Sequence, residues 1–301
     1  MPCHNGAAHV AKSVLSVLDQ THKNFELIVI DDGSVDGSFK VLSSFDDQRI
    51  KVFSQPHSGV SRARNNGISN VKGEYIAFLD SDDTWEASFL ERMVTSLELN
   101  PDAALAYCGW QNLGVDGRQG EPFIPPDYET PEKPELLLME NRWPIHAALT
   151  RSEFIRKAGG FNPRFAIGED FLLWLEIAVS HPVVRVPEVL AYYHHHGGQQ
   201  ATRSKVQVAL VTTEVQRHFL SVHPEAVHAL GRKKARRLIY GTLLDRGYAY
   251  YWRRDLVPAR AIFRRVMRSA YGAPKDWRYM LSSLLPLSIH RKLIQLFERR
   301  Q

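Results

Sequence analysis

The first hundred residues alternate between two hydrophobic periods. Phe25 to Ile30 is a nearly continuous apolar, β-prone run that stops at Asp31-Asp32-Gly33-Ser34, and Tyr75 to Leu79 is a second that stops at Asp80-Ser81-Asp82-Asp83. Ile50 to Ser54 and Ala104 to Tyr107 are shorter runs of the same kind. Helical spacing fills the gaps, over Ala7 to Gln20, Phe39 to Phe45, Val60 to Asn70 and Ala87 to Leu99. Strands that are apolar on both faces and separated by helices predict an α/β fold, a Rossmann-like and mostly parallel sheet flanked by helices. The opening Met1 to Gly6 reads as a turn with no strand in front of it, although the helix that follows needs one. The first strand is therefore expected to be truncated and the sheet to lack a central strand.

The pattern changes after residue 108. Asp116-Gly117 is a turn signal, and residues 120–135, rich in Pro and Glu, read as a loop. Glu153 to Ala158 is a short helix ended by Gly159-Gly160, and Glu169 to Ser180 is a helix with Phe171, Leu172, Leu175 and Val179 on its apolar face. From Lys205 onward the spacing predicts helices, several with arginines on one side and Leu, Ile, Phe or Tyr on the other. Two domains are expected, residues 1–200 and a basic amphipathic helical region over 201–301.

Charge sharpens that division. The chain of 301 residues carries a net charge of +5. Residues 201–301 hold 21 Lys/Arg against 6 Asp/Glu, which leaves a body of net charge −10 and a tail of +15. Such helices, with Trp252, Trp277, Tyr248, Tyr250 and Tyr251 interleaved, suit an anionic membrane surface; a helical subdomain with solvated arginines fits almost as well. Nucleic acid is not expected, because the acidic body would repel phosphate. No window offers the uncharged apolar length of a membrane span, and no secretory signal is visible. Cys3 and Cys108, far apart, fit a reducing compartment. The expected location is cytoplasmic, with peripheral attachment to the inner face of the cytoplasmic membrane as the consequence of a membrane-binding tail.

Both acidic clusters fall at the carboxyl end of an expected strand, the edge at which open α/β sheets bind ligands. Carboxylates packed so densely repel one another unless a cation compensates, and a hard divalent ion with oxygen ligands is the natural one. Solvated turn chemistry is the alternative for either cluster alone; two clusters on one edge favour function.

Several segments, in order and spacing, resemble the family 2 glycosyltransferases of the GT-A fold. They are Pro2-Cys3-His4-Asn5-Gly6, Asp31 to Ser38, Ser61-Arg62-Ala63-Arg64-Asn65-Asn66-Gly67, Gly73 to Asp83, and Gly160-Phe161 leading to Gly168-Glu169-Asp170. The resemblance covers roughly residues 1–200. It implies inverting, metal-dependent transfer of a sugar from a UDP- or dTDP-type sugar nucleotide to a hydroxyl of a glycan or lipid-linked acceptor in cell-surface polysaccharide synthesis. It also implies the roles. His4, Asn5, Asp31 and Asp32 hold the nucleotide base, with His4 where the family usually has Tyr. Asp80 contacts the ribose, Arg64 and Asn65 flank the donor, and Asp82 holds a divalent metal, Mn or Mg. Asp170 is the catalytic base, and a helix-start position is expected to lower its pKa. Glu169 orients neighbouring groups, and His146, within Trp143-Pro144-Ile145-His146, lines the acceptor side unless it is a core histidine.

His194-His195-His196 lies in an extended segment, where alternating faces keep three consecutive histidines off one zinc ion. Together with Gly197-Gly198-Gln199 the run reads as a loop over the donor diphosphate, with His196 as the contact. The Gln-x-x-Arg-Trp motif of processive members is absent, which argues for single sugar additions. Two readings compete with transfer: a catalytically silent sugar-nucleotide or glycan-binding protein, and a sugar nucleotidyltransferase, which would want a basic glycine-rich loop near the N-terminus.

Overall fold

A computed structural model describes residues 1–115, 118–196 and 204–298. The Asp116-Gly117 turn and the Gly197-Gly198-Gln199 end of the histidine loop lie outside the described residues. The chain divides into two compact units, Met1–Gln199 and Gln200–Gln301.

The first unit begins with β1 (Pro2–Cys3), α1 (Val10–Leu18), β2 (Leu27–Asp32), α2 (Ser38–Leu42), β3 (Ile50–Gln55), α3 (Val60–Asn70), β4 (Tyr75–Ala77), β5 (Thr84–Trp85) and α4 (Phe89–Leu99). Of these strands, β2 is buried throughout, with all six residues inside, whereas β3 is only partly covered. Val10, Val14 and Val17, at helical spacing on α1, join Phe89, Met93 and Leu97 of α4 in one core. Fully burying one such side chain contributes about 1.5–3 kcal/mol. β6 (Leu105–Val115), β7 (Arg118–Gln119), α5 (Lys133–Met139), β8 (Ala148–Arg151), α6 (Ser152–Lys157), α7 (Glu169–Ala178) and β9 (Val183–His194) complete the unit.

Three features differ from expectation. A first strand does precede the turn, as the two residues of β1, paired in parallel with Ile30 and Asp31 of β2. The parallel sheet is confined to the order β1-β2-β3, and the remaining strands form a mixed sheet of order β4-β8-β6-β9-β5. Its one parallel pair is β6 with β9; β8 pairs antiparallel with both β4 and β6, a long-range arrangement that hydrophobic period does not report. Third, the expected loop over 120–135 already contains the start of α5, whose first turn holds Pro134, a residue tolerated where the helix leaves its N–H unpaired.

Between the two sheets lies a cavity of about 630 Å³, lined by Leu27 and Ile28 of β2, Tyr75 to Ala77 of β4 and Gly67 and Ile68 of α3. Gly67 is interior to α3, and a Cβ placed on it would sit 3.7 Å from Ile30 Cγ1, an ordinary contact. Gly67→Ala is expected to raise stability by about 0.5–1 kcal/mol, through lost chain entropy in the unfolded state and a partly filled void. Thermal unfolding of the variant should show a midpoint about 2 °C higher.

The second unit is helical, as the arginine-apolar spacing predicts: α8 (Lys205–Val222), α9 (Pro224–Leu230), α10 (Arg232–Arg236), α11 (Thr242–Trp252), α12 (Leu256–Met267), α13 (Pro274–Ser282) and α14 (Leu287–Glu298). Its core gathers Leu243, Tyr251, Ile262, Phe263, Val266 and Met280. Among the described residues, no helix is long and apolar enough to cross a membrane.

Candidate active site

At the carboxyl end of β2 the chain must turn sharply, and Gly33 makes that turn with φ +71°; a Cβ there would lie 2.7 Å from the His57 backbone nitrogen. Asp32, the last residue of β2, is buried at that edge. Its Oδ1 accepts from Gln55 Nε2 at 2.7 Å and from the Ser58 amide at 2.9 Å, and its Oδ2 accepts from the Gly59 amide at 2.9 Å. Burial alone would raise the Asp32 pKa, but these donors and the adjacent His57 outweigh it and hold the carboxyl below its ordinary value.

His4 and His57 both aim Nδ1 at the Asp32 carbonyl oxygen, at 2.7 and 3.1 Å, and their rings stack with centroids 4.0 Å apart. Two parallel imidazole faces thus stand over the strand end. Asn5 clamps the Asp31–Ser38 turn: its amide donates to Ser34 Oγ at 2.9 Å, and its Oδ1 accepts from the Val35 amide at 2.8 Å. Asp31 points away from Asp32, toward Ser54, and leaves a buried Oδ1 without a partner.

Gly6, whose amide donates to Ser38 Oγ at 2.8 Å, also sits against Ser81, so the N-terminal segment lies between the two acidic segments. In the second of these, Asp80, Asp82 and Asp83 share one loop after β4. Asp80 Oδ1 accepts from Arg64 Nη2 at 2.6 Å, and Arg64 Nη1 donates to Glu169 Oε1 at 2.6 Å. Arg64, buried on α3, therefore ties the loop after β4 to the first turn of α7. Burial would raise Asp80's pKa, and Arg64 brings it below the ordinary value. The next residue on α3, Asn65, is spent elsewhere: both ends of its amide bond the Phe161 backbone, at 2.7 and 2.8 Å, instead of facing the donor side.

Glu169 and Asp170 open α7 behind Gly168, which has φ +77°. Burial, with help from Asp170, pushes the Glu169 carboxyl up to about 7 despite Arg64. Asp170 accepts from Asn141 Nδ2 on Oδ2 at 2.8 Å and from the Phe171 amide on Oδ1 at 2.7 Å. Its pKa is raised, not lowered as the helix-start position suggested, because burial outweighs Arg64 and the amide donors.

Asp82 receives His196, whose Nε2 donates to Oδ2 at 2.7 Å while its ring stacks on His9 at 4.6 Å. Asp83 is fully buried, accepts from the His194 amide at 3.0 Å, and lies 3.3 Å from His146 Nδ1. Burial, then the charges of Asp80 and Asp82, push Asp83 well above the ordinary carboxyl value. Burial also lowers His146 to about 4. Burial thus disfavours the charged form of both members of this internal pair. His146 does not line an acceptor wall: it is 1% exposed beneath the acidic loop, and Trp143 is buried against Tyr107 with ring centroids 4.6 Å apart.

The structure therefore brings Arg64, Asp80, Asp82, Glu169, Asp170 and His196 to one edge, with His4, Asn5 and Asp32 adjoining, and leaves Asn65 and His146 in supporting positions. Sequence reasoning missed His57, Gln55 and His9. The polar cluster Gln55-Pro56-His57-Ser58-Gly59, which directly follows a strand, was a usable signal for the first two; His9 carried none.

On the acidic loop, Asp82 Oδ2 and His196 Nε2 lie 2.7 Å apart, and a carboxylate and an imidazole are both ligand types that a divalent cation accepts. Among the described residues, His4, Asp32 and His57 also present ligand atoms within 4.8 Å of one another, although the hydrogen bonds above already occupy Asp32.

The architecture has solved counterparts. TarS of S. aureus in complex with UDP-GlcNAc superposes with TM-score 0.59 at 15% identity, over 81% of this chain and 78% of that one. The mannosyltransferase PcManGT of Pyrobaculum calidifontis in complex with GDP-Man and Mn²⁺ superposes with TM-score 0.54 at 15% identity, over 99% and 86%. The fold is of the GT-A class. Residues 1–149 match the family model described as Glycosyl transferase family 2. Across 179 residues, 59% of this chain and 67% of the relative, the sequence is 35% identical to the E. coli protein named UDP-Glc:alpha-D-GlcNAc-diphosphoundecaprenol beta-1,3-glucosyltransferase WfgD. It is 35% identical over 126 residues to the putative teichuronic acid biosynthesis glycosyltransferase TuaG of Bacillus subtilis. The chain belongs to glycosyltransferase family 2. It spans half the length of TuaG and a third of that of a Rickettsia felis relative.

Proposed function

We propose that this chain transfers a sugar from a nucleoside diphosphate sugar, of the UDP or dTDP type, to a hydroxyl of a glycan or lipid-linked acceptor in cell-surface polysaccharide synthesis. The observation that carries the reading is the Arg64 bridge, which sets the loop of Asp80 and Asp82 beside Glu169 and Asp170. The names of WfgD, TuaG and the UDP-GlcNAc complex of TarS support the donor and acceptor classes.

In this reading the stacked His4 and His57 flank the nucleotide base and Asp80 faces the ribose. Asp82 and His196 hold a divalent cation, as the Mn²⁺ of the PcManGT complex supports, and when bound the ion offsets charge developing on the departing diphosphate. Asp170 accepts the proton of the acceptor hydroxyl as the hydroxyl oxygen attacks the anomeric carbon; the bond to the diphosphate breaks on the opposite face, and the configuration inverts. Asn141 and the Phe171 amide hold the Asp170 carboxylate in place.

Calorimetry with UDP, with and without Mn²⁺, tests this directly. The unmodified chain should bind UDP more tightly when Mn²⁺ is present, and Asp82→Ala should lose that enhancement by about tenfold or more while retaining metal-free binding. A metal enhancement that survives in Asp82→Ala would remove Asp82 from the site. Release of UDP from a panel of UDP-sugars then tests transfer itself.

A further inference from the structure

The second unit carries an apolar corner that its own core leaves uncovered. Leu281 at the end of α13, Leu284 and Leu285 in the α13–α14 turn, and Ile289 in the first turn of α14 are 51%, 58%, 37% and 46% exposed. Beside it runs a groove of about 500 Å³, walled by Met267, Trp277, Leu281 and Leu284 and edged by Arg264 and Arg268. Side chains this apolar, adjacent and solvent-facing mark an interaction surface.

Charge identifies the partner. Between residues 264 and 292 the sequence holds seven basic side chains, Arg264, Arg265, Arg268, Lys275, Arg278, Arg291 and Lys292, and the single acid Asp276. Asp276 is engaged by Tyr248 and the Ala273 amide. Arg265 pairs with Glu214 and Arg264 donates to the Ser283 carbonyl, whereas Arg268, Lys275, Arg278, Arg291 and Lys292 are exposed. Of the basic side chains, Arg264 and Arg268 line the groove itself, and Arg278 lies over the Tyr279 ring at 4.8 Å.

We infer that the α13–α14 corner docks on an anionic phospholipid bilayer, with Leu281, Leu284, Leu285 and Ile289 entering the headgroup–acyl boundary and the surrounding basic side chains meeting lipid phosphates. An apolar wedge within a basic collar is the arrangement that anionic interfaces select. A nucleic-acid partner would use the collar and leave four leucine-class side chains in water. The inference goes beyond sugar transfer and does not depend on it.

Flotation of the full chain with phosphatidylglycerol-rich and with phosphatidylcholine vesicles, at low and high salt, decides it. Binding to the anionic vesicles that weakens with salt is expected. Leu284→Asp combined with Leu285→Asp should cut that binding about tenfold or more. Val222→Asp, at an exposed apolar position on α8, should leave it unchanged, and UDP binding should report an intact first unit in both variants. Absent binding, equal binding to both vesicle types, undiminished binding by the double variant, or retention on single-stranded RNA but not on vesicles would each overturn the inference.

Discussion

Asp170→Asn is expected to slow sugar transfer by about 10²- to 10⁴-fold while UDP still binds. The amide keeps the shape of the carboxyl and one oxygen for the Phe171 amide, so the first turn of α7 should stand. In the proposed reaction, what it loses is the capacity to hold the acceptor's proton. Burial strengthens Asp170 as a base by raising its pKa, and the same shift sets a cost on the acid side. A base works only when ionised, so transfer should fall with decreasing pH beginning above the ordinary Asp value of about 3.9. Single-turnover rates against pH, with UDP affinity measured in parallel, check both parts. A variant that transfers at the full rate would assign the proton to another group.

Arg64→Met should strongly destabilise the first unit. The Arg64 side chain is 3% exposed, and its guanidinium holds two carboxylates, Glu169 at 2.6 Å and Asp80 at 2.6 Å. Removing it leaves Glu169 buried with Asp170 beside it and no counter-charge. Breaking a buried pair in this way typically costs about 3–5 kcal/mol, much of it the penalty of the stranded partner. Chemical denaturation should show that loss at pH 8. Glu169 already carries a folded-state pKa of about 7, above its ordinary 4.5. A raised carboxyl contributes stability that is complete below the unfolded value and lost as pH rises through the folded one. Without Arg64 the shift grows, so the defect should shrink toward pH 5, where Glu169 can fold protonated. Adding Glu169→Gln to Arg64→Met should recover part of the loss at pH 8. A pH-independent defect would mean that Arg64 acts by packing alone.

Both predictions rest on partners that sequence reads unequally. Asp80 and Asp82 were legible because the apolar run that stops at Asp80 marks a strand end, and strand ends in such sheets face ligands. Asp170 was legible only through resemblance, since an acid at a helix start has a sufficient local explanation. The link from Arg64 to Glu169 spans 105 residues, and no local period encodes it. The direction of the Asp170 shift was misread for the same reason: the helix start is visible in the sequence, whereas burial is set by what packs over it. His146 shows the converse, a polar residue in a loop-like segment that ends beneath the acidic turn because Trp143 and Ile145 carry the segment inward. The sheet's parallel portion was overextended because apolar runs reveal strands but not which neighbour each will choose.

The cavity between β2 and β4 bears on the cleft above it. Asp32 and His57 belong to the three-stranded sheet, whereas Asp80 and Asp82 follow β4 of the mixed one, and no ladder of backbone bonds crosses from one to the other among the described residues. At the site edge the two are tied by side chains of α3, with Ser61 donating to the Phe165 carbonyl, Arg64 to Asp80 and Glu169, and Asn65 to the Phe161 carbonyl, above a hydrophobic core that both sheets share. The separation of Asp32 from Asp80 at this edge is therefore set by the side chains of α3 and the shared core, and not by the continuity of a sheet.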